Sequence, residues 1–161
     1  MTIMKEKIIN EINRYQNKEK AIHLARFFKT AKGEYAEGDK FLGLTVPSTR
    51  SIAKQFYKTT QLKDLKELIK SPYHEIRLCS LFIMILKFKN SSEEEKREIF
   101  ELYKKNTKHI NNWDLVDLSA PHIFGQYIFN SDEELWKLAK TDHLWSQRIA
   151  VISTFYFIRQ G

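Results

Sequence analysis

Apolar residues recur at helical spacing along nearly the whole chain. The first two apolar stripes consist of Met4, Ile8, Ile9 and Ile12, and of Ala21, Leu24, Ala25 and Phe28. Residues three and four apart share one face of a helix, so both stripes predict amphipathic helices. No segment shows a convincing strand pattern. The pattern therefore predicts an all-α chain.

Further along, charged amphipathic helices alternate with strongly apolar ones. The charged helices are predicted over 61–70, 93–105 and 132–140, and the apolar ones over 73–89, 112–129 and 144–160. The segment 73–89 is hydrophobic on all sides, which predicts a buried helix.

Several residues mark where these helices begin or break. Pro47 and Ser48 are favourable residues for a helix start. Capping boxes are predicted for two pairs: Ser92 with Glu95, and Ser131 with Glu134. The helix over 112–129 must bend or restart at Pro121, because proline interrupts the hydrogen-bond ladder.

The alternation repeats about every 30–40 residues, which is the period of HEAT-type helical repeats. Arg77 and Arg148 each lie one turn into an apolar helix, in "HEIRLCSLFIMIL" and "WSQRIAVISTFYF". This shared position favours a HEAT-like solenoid over a compact helical bundle. In such a stack, the second helix of each pair lines the concave face.

One long loop, "KGEYAEGDKFLG", interrupts the helices and contains Gly33, Gly38 and Gly43. Its glycine spacing differs from that of a phosphate-binding P-loop, and "GEYAEG" is acidic. Tyr35 and Phe41 are large enough to anchor it. We therefore expect an ordered element that positions its neighbours, with no nucleotide bound to it.

Composition narrows the class of protein. The 161 residues include 27 Lys and Arg and 20 Asp and Glu, a net charge of +7. This surplus suits a polyanionic partner, because basic side chains displace counterions from phosphates, although a soluble lysine-rich surface explains it equally well. Cys79 is the single cysteine, and neither a signal peptide nor a membrane span is evident. The chain is expected to be cytoplasmic.

The stretch "INNWDLVDLSAPHIFG" carries the residues with most chemical interest. Trp113 and Asp117 are four apart and share a helical face, whereas Asp114 points elsewhere and suits the helix N-terminus. Asp114 is therefore interpreted as structural. Asp117 lies between Val116 and Leu118 and needs a partner. The repeat pattern predicts that this partner is Arg148, which would cluster with Trp113 and Asp117.

Taken alone, the Asp117–Arg148 pair is better explained as a structural bridge between repeats. Similarly, a tryptophan at such a position is more often part of a core than of a ligand site. The residues themselves leave both interpretations open.

Three blocks together resemble the DNA alkylation repair family of AlkD-like, HEAT-like repeat DNA glycosylases. They are "FFKTAKGEYAEGDKFLGLTVPSTRSIAKQF", "WDLVDLSAPHIFG" and "WSQRIAVISTFYF", and they extend from Phe27 to Phe157. Their order and helical context make the resemblance specific. It implies an enzyme that hydrolyses the N-glycosidic bond of 7-methyl- or 3-methylpurines in duplex DNA.

The resemblance also implies roles for individual residues. Asp117 matches the catalytic aspartate, Trp113 the aromatic residue of the same motif, and Arg148 the helix arginine. DNA contacts are expected at Phe27, Thr45, Arg50 and Arg77. Position 27 is Phe where a tyrosine can occur, so a hydroxyl directed at phosphate is absent.

Family members usually continue through further helical repeats. Residues 1–161 are expected to form a single repeat domain that resembles the first two-thirds of such a protein, with the C-terminal repeats apparently missing. The expected partner is duplex DNA containing alkylated purines. We expect a nucleoid-associated monomer that needs neither a metal nor another cofactor.

Rival classes have less support. A catalytically silent HEAT-like scaffold that binds DNA or protein is the main alternative, but it has no need for both Asp117 and Arg148. No lysine is expected in the cluster, so we predict hydrolysis without a Schiff-base lyase step. The sequence has no nucleophile-elbow motif of a serine hydrolase. Metal-ligand spacing is absent among the histidines, which are His23, His74, His109, His122 and His143.

Overall fold

The computed structural model describes residues 3–129 and 131–160, and these residues are mainly helical, with one long loop between the second and third helices. The helices are α1 (Met4–Arg14), α2 (Lys18–Phe27), α3 (Val46–Phe56), α4 (Leu62–Leu68), α5 (His74–Lys89), α6 (Glu93–Lys105), α7 (Trp113–Ser119), α8 (Glu133–Ala139) and α9 (Leu144–Gln160), with a 3-10 turn at Thr107–His109 and a π-helical turn at Pro121–Gly125. Within the described part, extended pairing is limited to an isolated bridge between Lys40 and Tyr73. The prediction of an all-α chain is confirmed.

The chain divides into two compact units, Met1–Lys87 and Phe88–Gly161. In the first unit α1 packs against α3 and α4, and in the second α9 packs against α7, α8 and the π-helical turn. The expectation of a single repeat domain over 1–161 stays a prediction.

Helix α5 is the most buried helix of the described chain. Every residue from His74 to Ile85 is buried, as the apolar pattern of 73–89 predicted. Helix α9 is different, because one of its faces is open to solvent. Its exposed apolar residues are Leu144, Val151, Phe155 and Ile158. No described helix has the length and apolarity needed to cross a membrane.

The predicted helix starts are formed in most cases. Thr45 caps α3 with its side chain, and Pro47 follows within the first turn. The capping box of Ser92 and Glu95 is present at α6. The second predicted box is wrong: Asp132 is the N-cap residue of α8 and makes no side-chain cap bond.

Glu134 is the second residue of α8 and so does not stand at the N3 position of a capping box, and its carboxylate binds two lysines. Its Oε2 lies 2.9 Å from Lys104 Nζ, on α6, and its Oε1 lies 3.1 Å from Lys137 Nζ. These bonds lower the pKa of Glu134, with the hydrogen bond from Lys104 as the largest cause. The carboxylate thus connects α6 to α8.

The predicted break at Pro121 takes the form of a π-helical turn. Helix α7 ends at Ser119, and the Gly125 amide donates to the Ala120 carbonyl at 2.9 Å, which spans five residues. Pro121 has no amide with which to continue the ladder. Gly125 then lies so close to α9 that a Cβ atom there would collide with the Ser153 carbonyl oxygen.

We predict that Gly125→Ala lowers the free energy of unfolding by about 3 kcal/mol, because α9 would have to shift away from its backbone neighbour. Gly38→Ala is the control: a Cβ there meets open space, but φ is +85°. The control should lower the free energy of unfolding by only about 1–2 kcal/mol, because the alanine would be strained in this backbone conformation. Denaturant unfolding measures both. A Gly125→Ala variant as stable as the unmodified chain would contradict this account of the packing.

Candidate functional site

Asp117 and Arg148 are joined by two hydrogen bonds between α7 and α9. Arg148 Nε donates to Asp117 Oδ1 at 2.8 Å, and Arg148 Nη2 donates to Asp117 Oδ2 at 2.7 Å. Side-by-side bonds of this kind fix the plane of a carboxylate as well as its position. The pairing predicted from the repeat pattern is therefore present.

The pair is not a core feature, although the apolar neighbours of Asp117 suggested one. The Arg148 side chain is 39% exposed and the Asp117 side chain 34% exposed. Val116 is fully buried, whereas Leu118 is partly exposed. Asp117 therefore stands at the edge of α7, where solvent or a ligand can reach the carboxylate.

Arg148 is held as a cation by this contact. The hydrogen bonds to Asp117 are the largest cause that raises the pKa of Arg148, and the charge of Asp117 adds to them. Partial burial of the guanidinium acts in the opposite direction. Arg148 thus keeps its charge throughout the physiological pH range.

A buried hydroxyl pair supports α7 from the side of α6. The Ser119 hydroxyl donates to the Leu115 carbonyl at 2.5 Å, so the Tyr103 hydroxyl donates to Ser119 Oγ at 2.8 Å. Burial is the largest cause that raises the pKa of Tyr103, and the charge of Asp117 raises it further. This contact could not be predicted from the sequence, because Tyr103 has the position of one member of an apolar stripe.

Trp113 begins α7, one turn before Asp117. Asn112 precedes it, and the Asn112 side chain accepts a hydrogen bond from the Trp113 amide at 2.8 Å. Trp113 is partly exposed. Asp114 is buried in the first turn of α7, and its Oδ1 accepts from the Leu115 amide at 2.8 Å. This placement agrees with the structural role expected for Asp114.

Three of the predicted DNA-contacting residues are exposed in the first unit. Phe27, the last residue of α2, is 57% exposed. Thr45 is exposed at the N-terminus of α3. Arg50 lies further along α3, exposed, with its Cζ atom 4.2 Å from the centre of the buried Phe82 ring. The ring covers one face of the guanidinium and restricts its motion.

Arg77 differs from the other predicted contacts because it is buried. Its side chain is 4% exposed, and Nη2 lies 2.8 Å from Asp39 Oδ1. Its Nη1 donates to the Ser71 carbonyl at 2.8 Å. A guanidinium used in this way has no surface to offer a phosphate. We therefore leave Arg77 out of the proposed DNA-contacting residues.

The loop between α2 and α3 is tied to α5 at several points, as expected for an ordered element. Asp39 binds Arg77, and the His74 amide donates to the Lys40 carbonyl at 2.8 Å. The Phe41 ring stacks on the His74 ring with centroids 4.6 Å apart. The acidic loop residues are also used internally: Glu34 and Glu37 accept hydrogen bonds from the amides of Ala31 and Gly33.

Among residues 3–129 and 131–160, no three His, Cys, Asp or Glu side chains are grouped in a way that could hold a metal ion. Cys79 lies in the buried part of α5, and burial raises the pKa of its thiol from 9.0 to about 12. A protonated, buried thiol is a poor nucleophile.

Comparison with known proteins gives one family. The family model for DNA alkylation repair enzymes matches residues 8–161, and so includes both compact units. No significant match to a curated protein was found. The segments that carry Asp117 and Arg148 both lie within the matched range.

We predict that Cys79 is unreactive toward a disulfide reagent at pH 8 in the folded protein and reacts at once in denaturant. Above about pH 9 the unfolded chain releases a proton that the folded protein retains, so stability should fall as the pH rises from 9 to 12. Absorbance of the released thiol product measures reactivity. Rapid native labelling would show that α5 opens more readily than its burial implies.

Proposed function

Because the chain belongs to the DNA alkylation repair enzyme family, we propose that it is a monofunctional DNA glycosylase. It would hydrolyse the N-glycosidic bond of 7-methyl- or 3-methylpurines in duplex DNA. The observation that carries this proposal is the partly exposed carboxylate of Asp117, held in a fixed plane by Arg148.

The chemistry of the substrate sets what the protein must supply. A purine methylated at the 3- or 7-position is cationic, so it leaves without much help from an acid. Cleavage puts positive charge on the deoxyribose, as in other glycoside hydrolyses. A carboxylate fixed beside the sugar stabilises that charge and orients the attacking water. We assign this role to Asp117.

The bonds between the two side chains leave room for that role. A carboxylate has about four acceptor positions, and Arg148 fills two of them on Asp117. The remaining positions can receive a water molecule. Nη1 of Arg148 takes part in neither bond, so we assign it to a neighbouring phosphate. Trp113, one turn before Asp117, would pack against the sugar.

DNA would also contact Phe27, Thr45 and Arg50 in the first unit, all of which are exposed. We propose a HEAT-like arrangement of the helix pairs, supported by the alternation of exposed charged helices with apolar ones. The proposed reaction is hydrolysis without a lyase step, because the basic group paired with Asp117 is the guanidinium of Arg148, which does not form a Schiff base as a lysine amine does.

A catalytically silent scaffold is the second candidate, and one observation favours it. Asp117 and Arg148 connect α7 to α9, which is also what a purely structural bridge between helices would do. Partial exposure limits the stability that such a bridge contributes to about 1 kcal/mol or less. Stability and activity can therefore be separated by experiment.

We predict that duplex DNA binding weakens steeply as salt is raised, because the net charge of +7 favours release of counterions from phosphates. If about four phosphates are contacted, affinity should fall on the order of a hundredfold between 50 and 200 mM salt. Fluorescence anisotropy with a labelled duplex measures this. Binding that does not change with salt, or no binding at either concentration, would contradict the proposed electrostatic contacts.

We predict that Asp117→Asn lowers the rate of 7-methylguanine excision by roughly 10²–10³-fold, since the variant keeps the shape and loses the charge. DNA affinity should hold or rise, because a negative charge near phosphates is removed. The free energy of unfolding should fall by about 1 kcal/mol or less. Release of base from methylated duplex under single-turnover conditions gives the rate, and thermal unfolding reports stability.

Glu134→Gln is the matched control for this experiment. It removes the same charge from another interhelical bridge of the second unit, the one to Lys104. The control should excise at the unmodified rate. If Asp117→Asn also excises at that rate, the bridge is structural and the scaffold is the better description.

A further inference from the structure

Glu75, in the first turn of α5, is a buried carboxylate that binds three consecutive backbone amides. It is 2% exposed. Its Oε1 accepts from Gly43 at 2.8 Å, from Leu42 at 3.1 Å and from Leu44 at 3.2 Å, and its Oε2 accepts from Leu42 at 3.0 Å. Successive amides that point to one centre form an anion-binding concavity, and here the anion belongs to the protein itself.

The bound segment cannot easily take another conformation. Gly43 has φ +89°, and a Cβ atom there would collide with the Asn17 carbonyl oxygen. The Asn17 amide in turn donates to the Leu42 carbonyl at 2.9 Å. Asn17 caps α2 through its side chain. Glu75 thus holds the loop segment 42–44 against the start of α2.

The same segment leads directly into the proposed DNA-contacting residues. Thr45 follows Leu44 and caps α3, where its Oγ1 accepts from the Ser48 amide at 3.2 Å. Arg50 comes one turn later and rests on Phe82, which α5 also supplies. Helix α5 therefore fixes both the entry of α3, through Glu75, and the guanidinium of Arg50, through Phe82.

We propose that Glu75 is a positioning residue for DNA binding: by filling the concavity at residues 42–44 it sets where Thr45 and Arg50 meet the phosphates. Because the carboxylate occupies these amides, a phosphate cannot, which fits a positioning role for the loop. This inference rests on the proposed function, since it assumes that Thr45 and Arg50 contact DNA.

The test is Glu75→Gln, compared with Glu67→Gln. Both changes remove one negative charge from the first unit, and Glu67 is exposed on α4. General electrostatics predicts that each variant binds DNA as tightly as the unmodified chain or more tightly. Positioning predicts that Glu75→Gln alone binds about tenfold more weakly, with a salt dependence shallower by about one phosphate contact.

Two further readouts distinguish positioning from a purely structural role: the DNA concentration needed for half-maximal excision, and the coupling between Glu75 and Arg50. A purely structural role would leave both unchanged. Under single-turnover conditions, Glu75→Gln should raise the DNA concentration needed for half-maximal excision and leave the maximal rate as it was. Arg50→Gln in the Glu75→Gln background should cost less affinity than in the unmodified chain, because the contact is already misplaced. If the losses of DNA affinity caused by Glu75→Gln and Arg50→Gln simply add, the inference is overturned.

Circular dichroism at the assay temperature shows whether Glu75→Gln is folded. Should it be unfolded, Glu75→Asp replaces it, because the shorter side chain keeps the charge and withdraws the carboxylate from the amides of residues 42–44. A folded Glu75→Asp with weakened DNA binding supports the inference, and one with unchanged binding overturns it. If the unmodified chain neither binds duplex DNA nor excises methylated purines, the proposed function itself fails. If the unmodified chain binds and excises normally and Glu75→Gln behaves like it, only the positioning role is contradicted.

Discussion

A carboxylate that is removed from water needs hydrogen-bond donors from the protein. Three acidic residues of this chain obtain such donors in different ways. Glu75 binds backbone amides, Asp39 binds Arg77, and Asp117 binds Arg148. The first two are buried and fix the loop before α3 to α5. Without them the loop would be held by its aromatic contacts and by backbone hydrogen bonds such as the one from the His74 amide to the Lys40 carbonyl. The third stands at a partly exposed edge of α7, where the same kind of pairing leaves a charged group accessible.

The two Arg–Asp bridges differ in their exposure to solvent, and this difference fits the different roles proposed for them. Arg77 and Arg148 each lie about one turn into an apolar helix, and each pairs with an aspartate. The Arg77–Asp39 side chains are 4% and 5% exposed, so losing one partner would leave an uncompensated buried charge. The Arg148–Asp117 pair is seven to ten times more exposed on this measure. A ligand can therefore approach the second bridge and not the first.

The sequence predicted the helices well where periodicity and caps agree. The bounds of α6 match the prediction, and those of α4, α5 and α9 lie within about two residues of it. It failed at Ser131, because the N-cap of α8 is Asp132, and it gave no sign that Glu134 binds Lys104 on α6, thirty residues away in sequence. The bonding of Asp117 to Arg148 followed from the repeat, whereas its exposure depends on tertiary packing. The positions of Glu75 and Tyr103 had no sequence signal for the same reason.

The paired state of Asp117 has a consequence for how selective the proposed reaction can be. An aspartate bonded side by side to a guanidinium forms a nearly neutral pair, so its field falls off faster with distance than that of a lone charge. In the proposed mechanism, the pair would stabilise a cationic sugar only in close contact and would do little for charges further away. Discrimination then rests on the lesion, because an unmodified purine is a poor leaving group and gains little from such a site. Under the proposed mechanism, rejection of normal bases follows from their poor leaving ability, and the partly exposed position of Asp117 is compatible with it.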